Sequence, residues 1–208
     1  MRFKKAQYKD TFSIANLHKK GIPTGFLSKQ SIAFLESLYL YLIENEIVYV
    51  SKEGDKVIGF IAVSINTTGL YKKFLKSNLM LLVKFALKNL FSIKFMKKAY
   101  ETLNAPKKVR IKEMEIELPE LLSIVVDDTY AGKGAGNQLL ACVEKELLSL
   151  GQNRYKVLVG VNLESNKFYE KNGFEVLKEI EMHKGILSYI YTKEIRGSQQ
   201  ANLINDFE

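Results

Sequence analysis

Pro119–Gly136 reads PELLSIVVDDTYAGKGAG, and this stretch decides what kind of fold the rest of the chain serves. The apolar run Leu121–Val126 has the length and β-branched content of a buried strand. Asp127, Asp128, Thr129 and Tyr130 make a turn, after which Gly132, Gly134 and Gly136 alternate with Lys133 and Ala135. Leu139, Leu140, Val143, Leu147 and Leu150 follow at helical spacing, closed by Gly151. The order is therefore strand, glycine turn, helix. The first amides of a helix have no partner within it, and the helix dipole favours an anion there. Glycines let such a backbone approach a phosphate closely and adopt positive φ. The stretch reads as a pyrophosphate cradle, with a ligand-free glycine turn as the alternative. A dinucleotide fingerprint would need a glycine where Asn137 stands, and a P-loop would need Ser or Thr after Lys133, where Gly134 stands.

The 208 residues are 47% hydrophobic, enough for one α/β domain with its own core. A net charge of +8 and a pI near 9.3 favour a polyanionic partner: nucleic acid, an anionic membrane surface or a phosphate-rich cofactor. A single cysteine, Cys142, excludes an internal disulfide and fits a reducing compartment, so a cytoplasmic location is expected. Its place in the helix after the glycines marks it as a small hydrophobe rather than a nucleophile. Met1–Lys20 is mixed and polar, unlike a leader, and the apolar run Leu79–Val83 is broken by Lys84 before it could span a membrane.

A short strand over Arg2–Gln7 and a helix over Thr11–Lys20 are expected first. Gly21-Ile22-Pro23-Thr24-Gly25 breaks the helix, and Ser28 is read as the N-cap of a second one that ends near Glu44. The Gly21–Leu27 loop either lines a substrate site or simply connects two helices. Ile47–Lys52 and Lys56–Ser64 make a hairpin about Glu53-Gly54-Asp55, with Gly59 signalling a bulge or a close backbone neighbour. From Lys56 to Tyr100 there is no acidic residue, and lysines interleave with apolar residues over 67–103. That pattern predicts one or two basic amphipathic helices, an insertion that packs on the domain or at a dimer interface, or else touches an anionic membrane. No recognition motif accompanies the charge, so nucleic acid is not expected as a partner. Lys112–Leu118 and Leu121–Val126 read as a long strand bent at Pro119, and Lys156–Val161 as another buried strand. Asn162 is read as an N-cap to a short helix, Leu163–Lys171, which Asn172-Gly173 ends. Phe174–Met182 and Leu187–Thr192 form a closing hairpin about His183-Lys184-Gly185. Residues 1–196 are read as one domain and 197–208 as a tail.

Asn162–Phe174 reads NLESNKFYEKNGF. With the glycine turn before it, this resembles the GCN5-related N-acetyltransferase (GNAT) superfamily. The family's first motif falls on Ala131-Gly132-Lys133-Gly134-Ala135-Gly136, with Ala131 in place of its Gln or Arg. The second falls on Asn162, Ser165 (in place of Ala), Phe168, Tyr169, Gly173 and Phe174. The resemblance implies an α/β (α+β) fold with a mixed central sheet of about six to seven strands, flanked by helices and splayed after the strand that ends at Val126. The helical insertion is an extra.

The resemblance also implies acetyl transfer from acetyl-CoA to an amine, with no metal. Main chain at Ile124, Val125 and Val126 would pair with pantetheine, and amides from Gly132 to Asn137 would hold the pyrophosphate. Lys133 could add charge, and Asn162, Ser165, Phe168 and Tyr169 would complete the cofactor contacts. Glu120, eleven positions before Ala131, falls where histone-type members carry a catalytic glutamate, and it is read as the base, with Glu115 and Glu117 in reserve. On a regular strand its side chain would share a face with Leu122 and Ile124. A backbone N–H near Val125 or Val126 would hold the oxyanion, and Tyr169 would protonate the departing thiolate. The acceptor is expected to be an amino sugar or other small amine. A protein N-terminus or lysine, and a non-catalytic acyl-CoA-binding module, are the alternatives, and a homodimer stays open.

Overall fold

In the computed structural model of the chain, residues 1–23, 25–78, 118–183 and 186–196 are described. Their elements run β1 (Arg2–Lys5), α1 (Thr11–Gly21), α2 (Ile32–Asn45), β2 (Ile47–Glu53), β3 (Lys56–Ser64), α3 (Leu70–Ser77) and β4 (Glu120–Val126). Then come α4 (Ala135–Ser149), β5 (Arg154–Gly160), α5 (Asn166–Lys171), β6 (Glu175–His183) and β7 (Ile186–Glu194). The strands form one mixed sheet in the order β1-β2-β3-β4-β5-β7-β6, in which β4 and β5 are the parallel pair.

Both faces of the sheet are covered, which is why its central strands are apolar almost without a break. On β3, Phe60 and Ala62 join a core with Ile14 of α1, Leu38 and Tyr39 of α2, and Phe74 of α3. Ile61 and Val63, pointing the other way, join a second core with Leu139, Val143 and Leu147 of α4 and Tyr169 of α5. Leu139, Val143 and Leu147 are fully buried at four-residue spacing, and burying each such side chain stabilises by roughly 1.5–3 kcal/mol. That stripe fixes how α4 lies on the sheet and therefore where its N-terminus points.

Gly59 satisfies both halves of its sequence reading. A Cβ there would come within 2.8 Å of Ser51 Oγ and 2.9 Å of the Val125 carbonyl oxygen, and the β2–β3 register shifts beside Ser51.

Two expected caps are wrong. Ser28 lies in a 3₁₀ turn and donates its hydroxyl to the Ile22 carbonyl, whereas Ser31 caps α2 by accepting from the Phe34 amide at 3.2 Å. Asn162 caps nothing: it is exposed, and α5 begins at Asn166. The Asn166 side-chain amide donates to the carbonyls of Gly160, Val161 and Leu163 at 2.7–3.0 Å. These bonds compete with a helix for the same backbone and hold residues 161–165 as turns.

The start of the basic segment is helical, as α3. Leu70 and Phe74 are buried against the first core, and Lys72, Lys73 and Lys76 stay outside that core, so this part packs on the domain. The remaining expectations over 79–103 and 112–117, including Glu115 and Glu117, lie outside the described residues, as do the hairpin tip 184–185 and the tail 197–208.

Candidate active site

The site is built on a failure of two strands to stay together. β4 and β5 are in register at Glu120–Lys156 and Leu121–Val157 and not beyond, although they continue to Val126 and Gly160. β3 holds β4, and β7 holds β5 along its whole length, so the strands diverge as rigid walls. The opening is a cleft of about 520 Å³ lined by Leu121–Ile124, Val126, Val157–Val159, Gly136, Leu163–Ser165, Phe168 and Tyr169. Gly21, Ile22 and Pro23 at the end of α1 close one side, so the described start of the Gly21–Leu27 loop does line the cleft.

Along β4 the ladder decides which amides the cleft sees. The Asp127 N–H donates to Ile58 O at 2.8 Å. Hydrogen-bonding direction alternates along an antiparallel pair, so Val125 also turns toward β3, while Ile124 and Val126 turn their amides into the gap. The expected main-chain contact at Val125 is therefore corrected: its N–H is committed to β3, and its side chain packs in the first core.

A bulge corrects a second expectation. Ala62 pairs with Ser123 but Val63 pairs with Leu121, which leaves Leu122 without a partner. The extra residue reverses the facing of everything before it. Ile124 packs in the core under α4, but Leu122 packs in the core under α1 and α2, and Glu120 lies on that same side opposite Ser64. Glu120 thus shares a face with Leu122 and not with Ile124.

At the mouth of the cleft, Gly132 and Gly134 have φ of 73° and 79°, conformations that suit glycine. Gly134 occupies the N-cap position of α4 with no side-chain cap. Ala131 N–H bonds Asp128 O, Lys133 N–H bonds Tyr130 O, and Gln138 N–H bonds Gly134 O. Among the described residues the amides of Gly132, Gly134, Ala135, Gly136 and Asn137 have no acceptor. They form an uncapped helix start above a splayed pair of strands.

A family model described as an acetyltransferase (GNAT) domain matches residues 107–195. Residues 107–195 thus resemble a GNAT acetyltransferase domain. No curated protein matches the chain. Solved structures similar to it include an N-acetyltransferase from Staphylococcus aureus Mu50, at 16% identity and TM-score 0.59, covering 94% of this chain and 98% of that one. An aminoglycoside 6′-acetyltransferase type Ii gives 16% identity and TM-score 0.59, covering 95% of this chain and 99% of that one. The PaiA N-acetyltransferase from Thermoplasma acidophilum, solved in complex with coenzyme A, gives 16% identity and TM-score 0.56, covering 93% and 98%. At such identities these likenesses show the fold.

The fold brings most of the expected residues together. Ile124, Val126, Gly136, Ser165, Phe168 and Tyr169 all line the cleft. Gly136 and Phe168 join the two motifs physically, since a Cβ on Gly136 would lie 3.0 Å from Phe168 Cε2. Ala131, Gly132, Lys133, Gly134 and Asn137 are exposed at the mouth, and Ala135 is buried beneath. Lys133 Nζ rests over the Tyr130 ring, 4.8 Å from its centroid. Asn162 is not brought to the cleft wall. Cys142 is half-buried, and burial pushes its thiol up, as befits a packing residue.

Tyr169 is 6% exposed and packed among Phe168, Phe174 and Tyr191. Burial raises its phenol far above the usual range, so the hydroxyl holds its proton. Glu120 stands just outside the cleft wall, at the closed end where β4 and β5 still touch. Its Oε2 lies 3.6 Å from Lys156 Nζ, with the two side chains 20% and 10% exposed. Burial raises the carboxyl above the usual range, and Lys156 and Thr67 pull it back in part.

Sequence reasoning passed over Ser123, Lys156, Tyr39 and His18. The available signal was a serine in the middle of an apolar strand, because a buried polar group asks for a partner.

Proposed function

We propose that this chain is an N-acetyltransferase that moves an acetyl group from acetyl-CoA to a primary amine. One observation carries the reading: the gap between β4 and β5 opens beneath an uncapped helix start whose free amides suit a diphosphate. Pantetheine would lie along the gap-facing amides of Ile124 and Val126. The diphosphate would sit on the amides from Gly132 to Asn137, with Lys133 swinging off Tyr130 to add charge.

In the reaction an alkyl ammonium, with a pKa of about 10, must first lose a proton to expose its lone pair. Glu120 takes it through a water, since its carboxylate stands behind the cleft wall. The amine nitrogen then bonds to the thioester carbon, and the carbonyl oxygen becomes an oxyanion held by a gap-facing N–H of Ile124 or Val126. Collapse breaks the C–S bond, and Tyr169 gives its proton to the thiolate. The nitrogen gives up its second proton to solvent, the tyrosine regains one from solvent, and the products are a neutral amide and free CoA thiol.

The acceptor we favour is an amino sugar or other small amine, entering past Gly21, Ile22 and Pro23. Calorimetry with CoA, followed by thiol release from acetyl-CoA over a panel of amino sugars, small amines and short peptides, tests the reading. Absence of CoA binding sinks it. The pairing of Glu120 with Lys156 favours a second reading, an acyl-CoA-binding module without turnover. Stabilisation by CoA with no thiol release from any amine would select it. Turnover of peptides alone would select a protein acetyltransferase.

A further inference from the structure

Three buried side chains that the reaction above does not use form one hydrogen-bonded chain across α1, α2 and β4. His18 Nδ1 lies 2.6 Å from Tyr39 Oη, and Tyr39 Oη lies 3.1 Å from Ser123 Oγ. The residues are 4%, 1% and 7% exposed, respectively. The chain ends at the cleft, because Ser123 is part of its wall.

The direction of the protons follows from burial. Desolvation lowers the His18 pKa to about 4, so the imidazole is neutral near pH 7 and a poor sink for a proton from the amine. Its Nε2 is buried and has no hydrogen-bond partner among the described residues. Orphaned buried N–H groups are rarer than under-satisfied acceptors, so Nε2 keeps the lone pair and Nδ1 carries the hydrogen. Nδ1–H then donates to Tyr39, and the Tyr39 hydroxyl donates to Ser123 Oγ. The Ser123 proton has no acceptor among the described residues and is left for the cleft.

The side of the cleft follows from the register. Ser123 pairs with Ala62 on the face covered by α1 and α2, and the Gly21–Pro23 segment borders the same cleft. Ile124 and Val126 pack on the α4 face, where the diphosphate is expected.

We propose that Ser123 is a specificity-determining residue, whose hydroxyl, held donor-outward by Tyr39 and His18, binds an oxygen that the acceptor carries beside its reacting amine. The acceptor class is thus a hydroxylated or otherwise oxygen-bearing amine, and the inference rests on the acetyl-transfer reading.

The proton direction is tested without substrate. Imidazole 15N NMR of the full chain at pH 7, with a His183→Gln variant to assign the two histidines, should find His18 as the Nδ1–H tautomer. An Nε2–H tautomer or a charged ring overturns the proposal. The specificity is tested with ethanolamine and its near-isostere propylamine. The wild type should favour ethanolamine in kcat/KM by about three- to tenfold, one hydrogen bond's worth. Ser123→Ala should bring the ratio near one, Ser123→Thr should restore it, and the KM for acetyl-CoA should stay unchanged. An equal ratio in wild type and Ser123→Ala overturns the proposal. Should CoA bind while neither amine reacts, the same ratio is read from NMR titration of the two amines. Should CoA not bind at all, the acetyl-transfer reading fails, and the tautomer alone decides whether the serine proton faces outward.

Discussion

Gly21 at the end of α1 lies against Val125 of β4 so closely that an added Cβ would overlap Val125 Cγ1. The contact sets how near α1 approaches the splayed strand and so forms one side of the cleft. An alanine in a helix is intrinsically better than glycine by about 1 kcal/mol. Overpacking typically costs about 1–3 kcal/mol, so here the clash should win. Gly21→Ala is expected to lower stability in urea unfolding. Gly21→Ala with Val125→Ala should lose less than the two single changes summed, because removing the valine methyls relieves the clash. Simple additivity would show that the approach is not tight.

Gly134→Ala separates conformation from contact, since nothing lies within 4 Å of the position where a Cβ would stand. The left-handed φ of 79° makes the substitution cost about 1 kcal/mol of stability. The larger expected effect is on the ligand. A tilted or obstructed amide cradle should raise the Kd for CoA at least about tenfold by calorimetry, or about 1.4 kcal/mol. An unchanged Kd would remove Gly134 from the diphosphate site.

Tyr169→Phe keeps the ring packing against Phe174 and Tyr191 and removes only the acid. We expect kcat to fall about a hundredfold, within the range for general acids, with CoA affinity little changed. The raised phenol pKa keeps Tyr169 protonated over the assay range, so no alkaline fall in rate below about pH 10 should come from it. Loss of CoA binding and kcat together would mean a packing role.

Glu120 should write the acid limb of the kcat/KM profile. As a base it works when ionised, and burial raises its pKa, so the rate should rise with pH above the usual carboxylate range. Glu120→Gln should remove that limb and lower kcat/KM about a hundredfold. Lys156→Met takes away the cation that favours the carboxylate, so the limb should move to higher pH. Stability follows the opposite course. The folded-state pKa lies above the unfolded value of about 4.3, so Glu120 contributes most to folding below that value. The contribution is lost as pH rises through the folded pKa. A limb unchanged in Glu120→Gln would assign the base to another group.

Much of the site was legible from spacing. The glycines at 132, 134 and 136 and the leucine stripe of α4 specify a turn and a helix face through local rules, and both stand where those rules put them. The Asn162 cap was misread because Ser, Asn and Asp signal caps and turns alike, and Asn166 won the competition with three bonds to backbone carbonyls. The facing of Glu120 was misread because a strict period of two assumes an unbroken ladder. One unpaired residue at Leu122 reverses every side chain before it.

What the sequence by itself determined is the order of elements and the glycine-rich helix start, since helix period, glycine conformations and turn chemistry act over a few neighbouring residues. Only the tertiary structure decided the splay of β4 from β5, the bulge that turns Glu120 toward Lys156, and the meeting of His18, Tyr39 and Ser123. Those depend on register between strands and on pairs as far apart as Tyr39 and Ser123, 84 positions along the chain, which no local rule can bring into contact.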